Sequence, residues 1–389
     1  MKRFSLLLAA TLSAASAAFA QEAAPQPEPH KYEELPNFDF GDLHVEQKFS
    51  MSVGFRALSG AKVGFSGQGS IPAPSLLIDP DLDEPRSYND GFVFADRRPN
   101  PPADGKTNSW GAAHPDQLVN GGADIAMHSY SAETAFTSTG SKDADSDVGA
   151  ELVVERDMGK LGSKLQWRLF AGFGLNGISG SERRNVDATI TTVTDLYSLA
   201  GQTLPGDGLP PYSAPSSIQD PSQPDDPNAR IDTTVLLGRK PDSRSTATVD
   251  NDTQVTTAWK LKGNYLTFRA GPTLIYEISE KFRVSLSAGP VLVYSGTTYT
   301  VESLLEAETG EASVHTLRDS DSKVLTGYYV DATLQYMLNE RAGFYAGAFY
   351  QASGDYTQHL EEAATNSHYS TDIDLSKLQG FRAGLNYRF

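Results

Sequence analysis

The chain has 389 residues, 32 basic side chains against 49 acidic ones, a formal charge of −17, and no cysteine. Phosphate binding needs clustered Lys and Arg, so nucleic acid is excluded as a partner, and without a thiol there is neither a disulfide framework nor thiol chemistry. Only 39% of residues are hydrophobic, and beyond the first twenty no segment approaches the roughly 18 apolar residues of a helical span, which leaves open a barrel whose lipid-facing residues alternate with polar ones.

Lys2 and Arg3 precede an uncharged apolar stretch, Phe4 to Ala17, and Ala18-Phe19-Ala20 forms an A-x-A cleavage site. Residues 1–20 therefore read as a secretory signal peptide, which places the mature chain outside the cytoplasm. Residues 21–44, rich in Pro and Glu, read as a flexible leader. From 45 to 389 the pattern is that of a barrel.

Apolar side chains then recur at every second position, the period of a strand with one greasy face. Phe49, Met51, Val53 and Phe55 oppose Lys48, Ser50, Ser52 and Arg56. Val148, Leu152 and Val154 oppose Glu151 and Glu155, and Leu165, Trp167, Leu169, Phe173 and Leu175 oppose Lys164, Gln166 and Arg168. Leu266, Phe268, Leu274 and Tyr276 oppose Thr267, Arg269 and Glu277; Phe282, Val284, Leu286, Leu292 and Tyr294 oppose Arg283, Ser285 and Ser287. Tyr328, Val330, Leu334 and Tyr336 alternate with Asp331, Thr333 and Gln335; Phe344, Ala346, Ala348 and Tyr350 follow. The chain closes on Phe381, Ala383, Leu385, Tyr387 and Phe389 against Arg382, Gly384, Asn386 and Arg388.

These eight segments alternate short turns with long polar connections at about 59–146, 179–251, 297–323 and 353–376. That inequality predicts an all-β, antiparallel, up-and-down transmembrane barrel of eight strands, with long loops extracellular and both termini periplasmic. Segments 125–136, 188–199 and 229–238 are expected to be strand extensions or hairpins above the membrane; if they enter the ring, the count becomes ten or twelve. Pro272 and Pro290 lack a ladder donor, so bulged or distorted pairing is expected there.

The ending, with Phe389 last, Tyr387 aromatic and apolar residues at Leu385 and Phe381, resembles the carboxy-terminal signature of bacterial outer-membrane β-barrel proteins. The resemblance implies recognition by the barrel-assembly machinery and residence in the outer membrane, with its lipid and lipopolysaccharide as partners. The inward face carries eight basic residues (Lys48, Arg56, Lys164, Arg168, Arg269, Arg283, Arg382, Arg388) and four acidic ones (Glu151, Glu155, Glu277, Asp331). An eight-stranded lumen is about wide enough to be filled by side chains, so these predict a polar core of ion pairs.

The expected function is a structural or surface-interaction role through acidic loops such as 79–86 and 143–147, with a narrow anion-biased pore as the alternative. A rim enzyme would draw on His128, His315, His359 or His368, but no spacing ties any of them to a nucleophile, so no catalytic residue and no cofactor is assigned. Asp143, Asp145 and Asp147 open like a calcium loop, yet Val148 and Val154 stand where Gly and Glu are needed. Diffuse divalent cations between acidic loops and lipopolysaccharide phosphates are the expectation instead.

Overall fold

The computed structural model describes residues 48–73, 78–145, 148–306 and 312–389, with the backbone alone at 251–254. The signal segment 1–20 and the leader 21–44 lie outside the described residues. Twelve strands longer than three residues follow in chain order: β1 (Phe49–Ser59), β2 (Lys62–Ile71), β3 (Asp124–Phe136), β4 (Val148–Lys160), β5 (Leu165–Ser198), β6 (Ser243–Glu277), β7 (Phe282–Glu306), β8 (Ala312–Met337), β9 (Ala342–Ala352), β10 (Asp355–Glu362), β11 (Ser367–Asp374) and β12 (Leu378–Arg388).

Eight of them form a closed antiparallel ring in the order β1, β4, β5, β6, β7, β8, β9, β12 and back to β1. The outside of the ring is apolar and the inside is not: Leu286 is 52% exposed, while its neighbour Ser285 is 3% exposed. In water this inversion would be unstable. In hydrocarbon it is what a spanning sheet requires, because a closed ring leaves no backbone donor unpaired. An apolar outer belt around a polar interior is the architecture of an outer-membrane-type β-barrel. The last residue takes part in closure: Phe49 N–H donates to the Phe389 carbonyl (3.2 Å), Phe389 N–H donates to the Phe49 carbonyl (2.9 Å), and the two rings stack with centroids 6.3 Å apart.

The spans read as long loops are largely strand. β5 runs for 34 residues, roughly 110 Å at about 3.3 Å per residue, several times the height of a hydrocarbon layer. β6, β7 and β8 rise with it, whereas β1, β4, β9 and β12 stop near the end of the belt. Above that level their places are taken by β3, which pairs with β5; by β2, between β3 and β11; and by β10, beside β11. Segment 125–136 is thus β3 and 188–199 ends β5, whereas 229–238 holds only the short pieces Arg230–Asp232 and Leu237–Gly238; none of the three joins the ring.

This upper storey packs Phe65 on Tyr299 and Phe136 on Trp259 in a continuous apolar core. It is sealed between β8 and β10 by side chains, through His315 Nε2 to Glu362 Oε2 (2.8 Å) and Gln358 Nε2 to the Asp319 carbonyl (3.4 Å). Hydrogen bonding from Thr365, then His315, holds the Glu362 carboxyl below the usual range.

Pro272 and Pro290 produce no bulge in the β6–β7 ladder. Pairing stops at Arg269↔Val291 and resumes at Thr273↔Ser287 without a shift of register. Each ring lacks one donor, and the unshifted register sets Pro272 against Ala288 and Pro290 against Ala270, so one short interruption absorbs both.

The boundary between belt and upper storey is testable. Leu169→Arg, on the belt, should destabilise the folded protein by about 2–4 kcal/mol, whereas Thr316→Arg, outward on β8 above the belt, should cost under about 0.5 kcal/mol. Urea titration in lipid vesicles checks both, and equal costs would remove the membrane boundary from where the sequence alternation changes character.

Candidate functional site

Two places bring functional side chains together: the lumen of the ring and the head above the upper storey. In the lumen, Glu151 lies on β4 opposite Gly54, where the missing side chain leaves room for Tyr345. Its carboxylate takes Arg269 at 2.6 Å, Arg382 at 3.0 Å, and the Tyr345 hydroxyl donates to it at 2.8 Å. Arg382 continues to Asp331 at 2.6 Å and donates to the Tyr329 hydroxyl at 2.9 Å, which itself donates to Asp331. Arg168 meets Glu155 at 2.8 Å and donates to Ser50 at 3.3 Å. Nearer the short turns, Arg283 reaches Glu277 at 3.2 Å, where Gln166 also donates at 3.0 Å.

Arg56 is fully buried without a carboxylate partner among the described residues; it donates to Gln351 at 3.2 Å and lies 4.7 Å from the Phe349 ring centre. Gly172 and Gly174 on β5 make this filling sterically feasible. A Cβ at Gly174 would sit 2.5 Å from Arg56 Nη1, and one at Gly172 would sit 2.8 Å from Arg269 Nε. Lys48 and Lys164 are exposed at strand ends and Arg388 is half-buried, so these three stand outside the buried layer.

The plug also has an aromatic part, which the pattern of inward charges does not reveal. Phe170, Tyr329, Tyr345 and Phe349 are buried on the inward face, and Tyr329 lies 4.5 Å from the Arg269 guanidinium. Each stands in the polar phase of its strand, which was the visible signal: an aromatic out of step with the belt belongs inside.

The head is built from segments between β2 and β3 and between β5 and β6. Trp110 is fully buried, donates its indole N–H to the Val235 carbonyl at 2.8 Å and packs on Tyr212. Buried Arg86 donates to the carbonyls of Asp79 (2.8 Å), Pro80 (3.2 Å), Leu82 (2.7 Å), Glu84 (3.2 Å) and Arg239 (3.1 Å). A guanidinium thus occupies the centre of the acidic stretch 79–86.

The turn Tyr88-Asn89-Asp90-Gly91 locks the head onto the storey below. Asp90 faces His128 Nδ1 at 2.5 Å and accepts the His128 amide at 2.7 Å; Asn89 accepts the Tyr130 amide (2.9 Å) and donates to Ser313 (2.5 Å). Tyr88 donates to Asp195 at 2.6 Å and shares a 2.7 Å hydrogen bond with Tyr197. Asp195, fully buried, is gripped by Arg244 through two 2.7 Å bonds. Burial pushes the Tyr88 hydroxyl far up and that of Tyr197 up to about 12, so both stay neutral donors.

Beside this turn lies a cavity of about 540 Å³ walled by Tyr88, Phe92, Pro211 and Tyr212, with Asn89 and Asp90 at its polar edge. Its volume is that of a small-molecule site, and its aromatic faces with one polar rim suit a ring-bearing organic molecule.

His315 belongs to the β8–β10 seam, His359 is exposed, and His368 lies 3.3 Å from Asn366. Asp145 takes the Ser179 hydroxyl at 3.0 Å, Asp143 is exposed, and Asp147 lies outside the described residues. Among the described residues no cluster of three or more His, Asp or Glu side chains is placed to hold a metal ion.

No family model and no curated protein sequence matches the chain. Among solved structures it is similar to the outer membrane protease OmpT from Escherichia coli, at 10% identity over 89% of this chain and 98% of that one, with a TM-score of 0.31. It is also similar to Ail, the attachment invasion locus protein of Yersinia pestis (10% identity, 88% and 99% covered, TM-score 0.24), and to a Pseudomonas aeruginosa FadL homologue (10%, 88% and 90%, TM-score 0.19). Ring closure and the lipid-facing belt, not these similarities, identify the barrel.

Glu155→Gln alone should cost about 3 kcal/mol, because it leaves buried Arg168 with only the more distant Asp157 at 3.9 Å, while Glu155→Gln with Arg168→Met should recover most of that loss. Denaturant titration of the two variants decides it. In the head, Asp195→Asn should admit protease into residues 78–122 while the ring stays folded, read as a protected fragment on a heated and unheated gel.

Proposed function

We propose that the chain is an integral outer-membrane protein with a closed lumen that presents a rigid binding head at the cell surface. The short turns and both termini then lie on the periplasmic side, and the terminal Phe389, 56% exposed on the lipid face, is available to the assembly machinery. The observation that carries this reading is the buried layer of Arg56, Arg168, Arg269 and Arg382 with Glu151, Glu155 and Asp331, closed over by Tyr329 and Phe349. A solute path would have to cross the ion pairs of Arg168, Arg269 and Arg382 at 2.6–3.0 Å and the buried Arg56 guanidinium held on Gln351.

The head supports the second half of the reading. Its cavity is lined by side chains held on buried partners, so it is formed before any ligand arrives, and preformed pockets lose little ordering entropy on binding. The role is surface recognition, with the cavity beside Phe92 and Tyr212 as the recognition site.

Purified protein in a planar bilayer should show little steady conductance. A large, stable, anion-selective conductance would replace this reading with the pore. Independently, Phe92→Ala should abolish retention of ring-bearing fragments from a saturation-transfer NMR screen without altering the folded barrel.

A further inference from the structure

The outer wall just above the belt carries exposed cations that form no ion pair among the described residues. Along β5 to β8 the belt ends on one cross-strand row, Leu175, Leu266, Tyr294 and Val324. The next outward rows are Gly177, Asn264, Gly296 and Ser322; then Ser179, Lys262, Thr298 and Ser320; then Ser181, Lys260, Thr300 and Arg318. Lys260, Lys262 and Arg318 are exposed, and none forms an ion pair among the described residues. Several exposed or half-exposed cations elsewhere are matched: Lys142 with Glu182 (2.5 Å), Arg239 with Asp83 (2.8 Å), Arg98 with Asp104 (2.7 Å), and Lys62 in register between Asp143 and Asp374. The nearby carboxylates do not cancel the three. Asp145 bonds the uncharged Ser179 hydroxyl, keeps its charge and offsets one of the three at most, and Glu302 stands one row further up.

We infer that this patch binds the phosphate groups of lipid headgroups in the leaflet that meets the long-strand end of the barrel. The inference rests on the membrane placement of the belt and is independent of the closed lumen and of the head. Height is the first argument. Lys262 is four residues past Leu266, roughly 13 Å along the strand and about 10 Å above the belt at the usual tilt, and a lysine stem reaches back down toward the headgroup layer.

Spacing is the second argument. Lys260 and Lys262 are next neighbours on one face, about 7 Å apart, and Arg318 lies two strands away, about 10 Å, so all three can serve one multiply phosphorylated headgroup. Room is the third. Directly below them a cavity of about 620 Å³ is lined by Asp145, Gly177, Lys262, Asn264, Gly296 and Thr298, and a Cβ on Gly296 would meet nothing within 4 Å. In a chain of formal charge −17, three unpaired cations beside that hollow mark a local attraction for anions.

The test places wild-type protein and the triple variant K260Q/K262Q/R318Q in phosphatidylcholine nanodiscs and titrates labelled lipid A, a phosphorylated glycolipid. Wild type should retain lipid A, the variant should bind at least roughly tenfold more weakly, and dephosphorylated lipid A should not be retained. A control, K142Q/R98Q/R239Q, removes the same charge from paired sites and should bind as wild type does.

Unchanged affinity in the triple variant, an equal loss in the control, or equal retention of dephosphorylated lipid A would each overturn the inference. Full displacement of lipid A by inorganic phosphate would also overturn it, assigning the patch to a free anion. Failure of wild type to insert into the nanodiscs, seen as loss of its protease-resistant ring, would instead refute the membrane placement itself.

Discussion

The controlling constraint is that a backbone amide or carbonyl facing hydrocarbon without a partner costs several kcal/mol, with no water to relieve it. A sheet meets this only by closing, and here closure occurs between β1 and β12, where Met51, Val53 and Phe55 register against Tyr387, Leu385 and Ala383. Closure at eight strands sets the interior width, and that width decides the rest. Inward positions must be filled by side chains rather than water, so long arginines extend over glycines and each carboxylate serves more than one donor. Tyrosine and phenylalanine then occupy the space the ion pairs leave.

Four strands serve two solvents. β5 to β8 keep an unbroken inward core from the short turns to the top of the upper storey, while their outward residues change from Leu and Tyr to Lys, Ser, Thr and Arg within two or three rows. The upper storey can therefore stand on the ring without a linker, and strand exchange makes this possible. Where β1, β4, β9 and β12 leave, β2, β3, β10 and β11 take over as neighbours, and the one remaining pair of edges, β8 and β10, is bridged by side chains. In water an unpaired edge is tolerable, which is why that seam occurs above the belt and not within it.

The head depends on a different economy of polar groups. Its short strands contribute little ladder, and rigidity comes from three side chains that satisfy backbone or carboxylate partners: buried Arg86 on five carbonyls, buried Trp110 on Val235, and half-buried Arg244 on the buried Asp195. Such groups hold a loop-rich region in one arrangement, since each alternative would bury a donor or charge without a partner. A cavity framed by them is fixed in shape, and that links the fold of the head to recognition.

Period-two alternation determined the class of this protein, its eight ring segments, their turns and the lipid-facing set, because a strand between lipid and a filled lumen leaves a two-state mark at every position. The inward charges Arg168, Arg269, Arg382, Glu151, Glu155 and Asp331 were legible for the same reason. Their pairing was not, since partners such as Arg269 and Glu151 lie 118 residues apart and meet only once register and closure are set. The upper storey was hidden by water: its outward face is as polar as a loop, so only inward residues such as Tyr299 and Val301 recorded a strand. Only tertiary structure could assemble the head, because Tyr88, Asp195 and Arg244 come from three separate segments and acquire a role only when burial deprives the Asp195 carboxylate of water and leaves the other two to satisfy it.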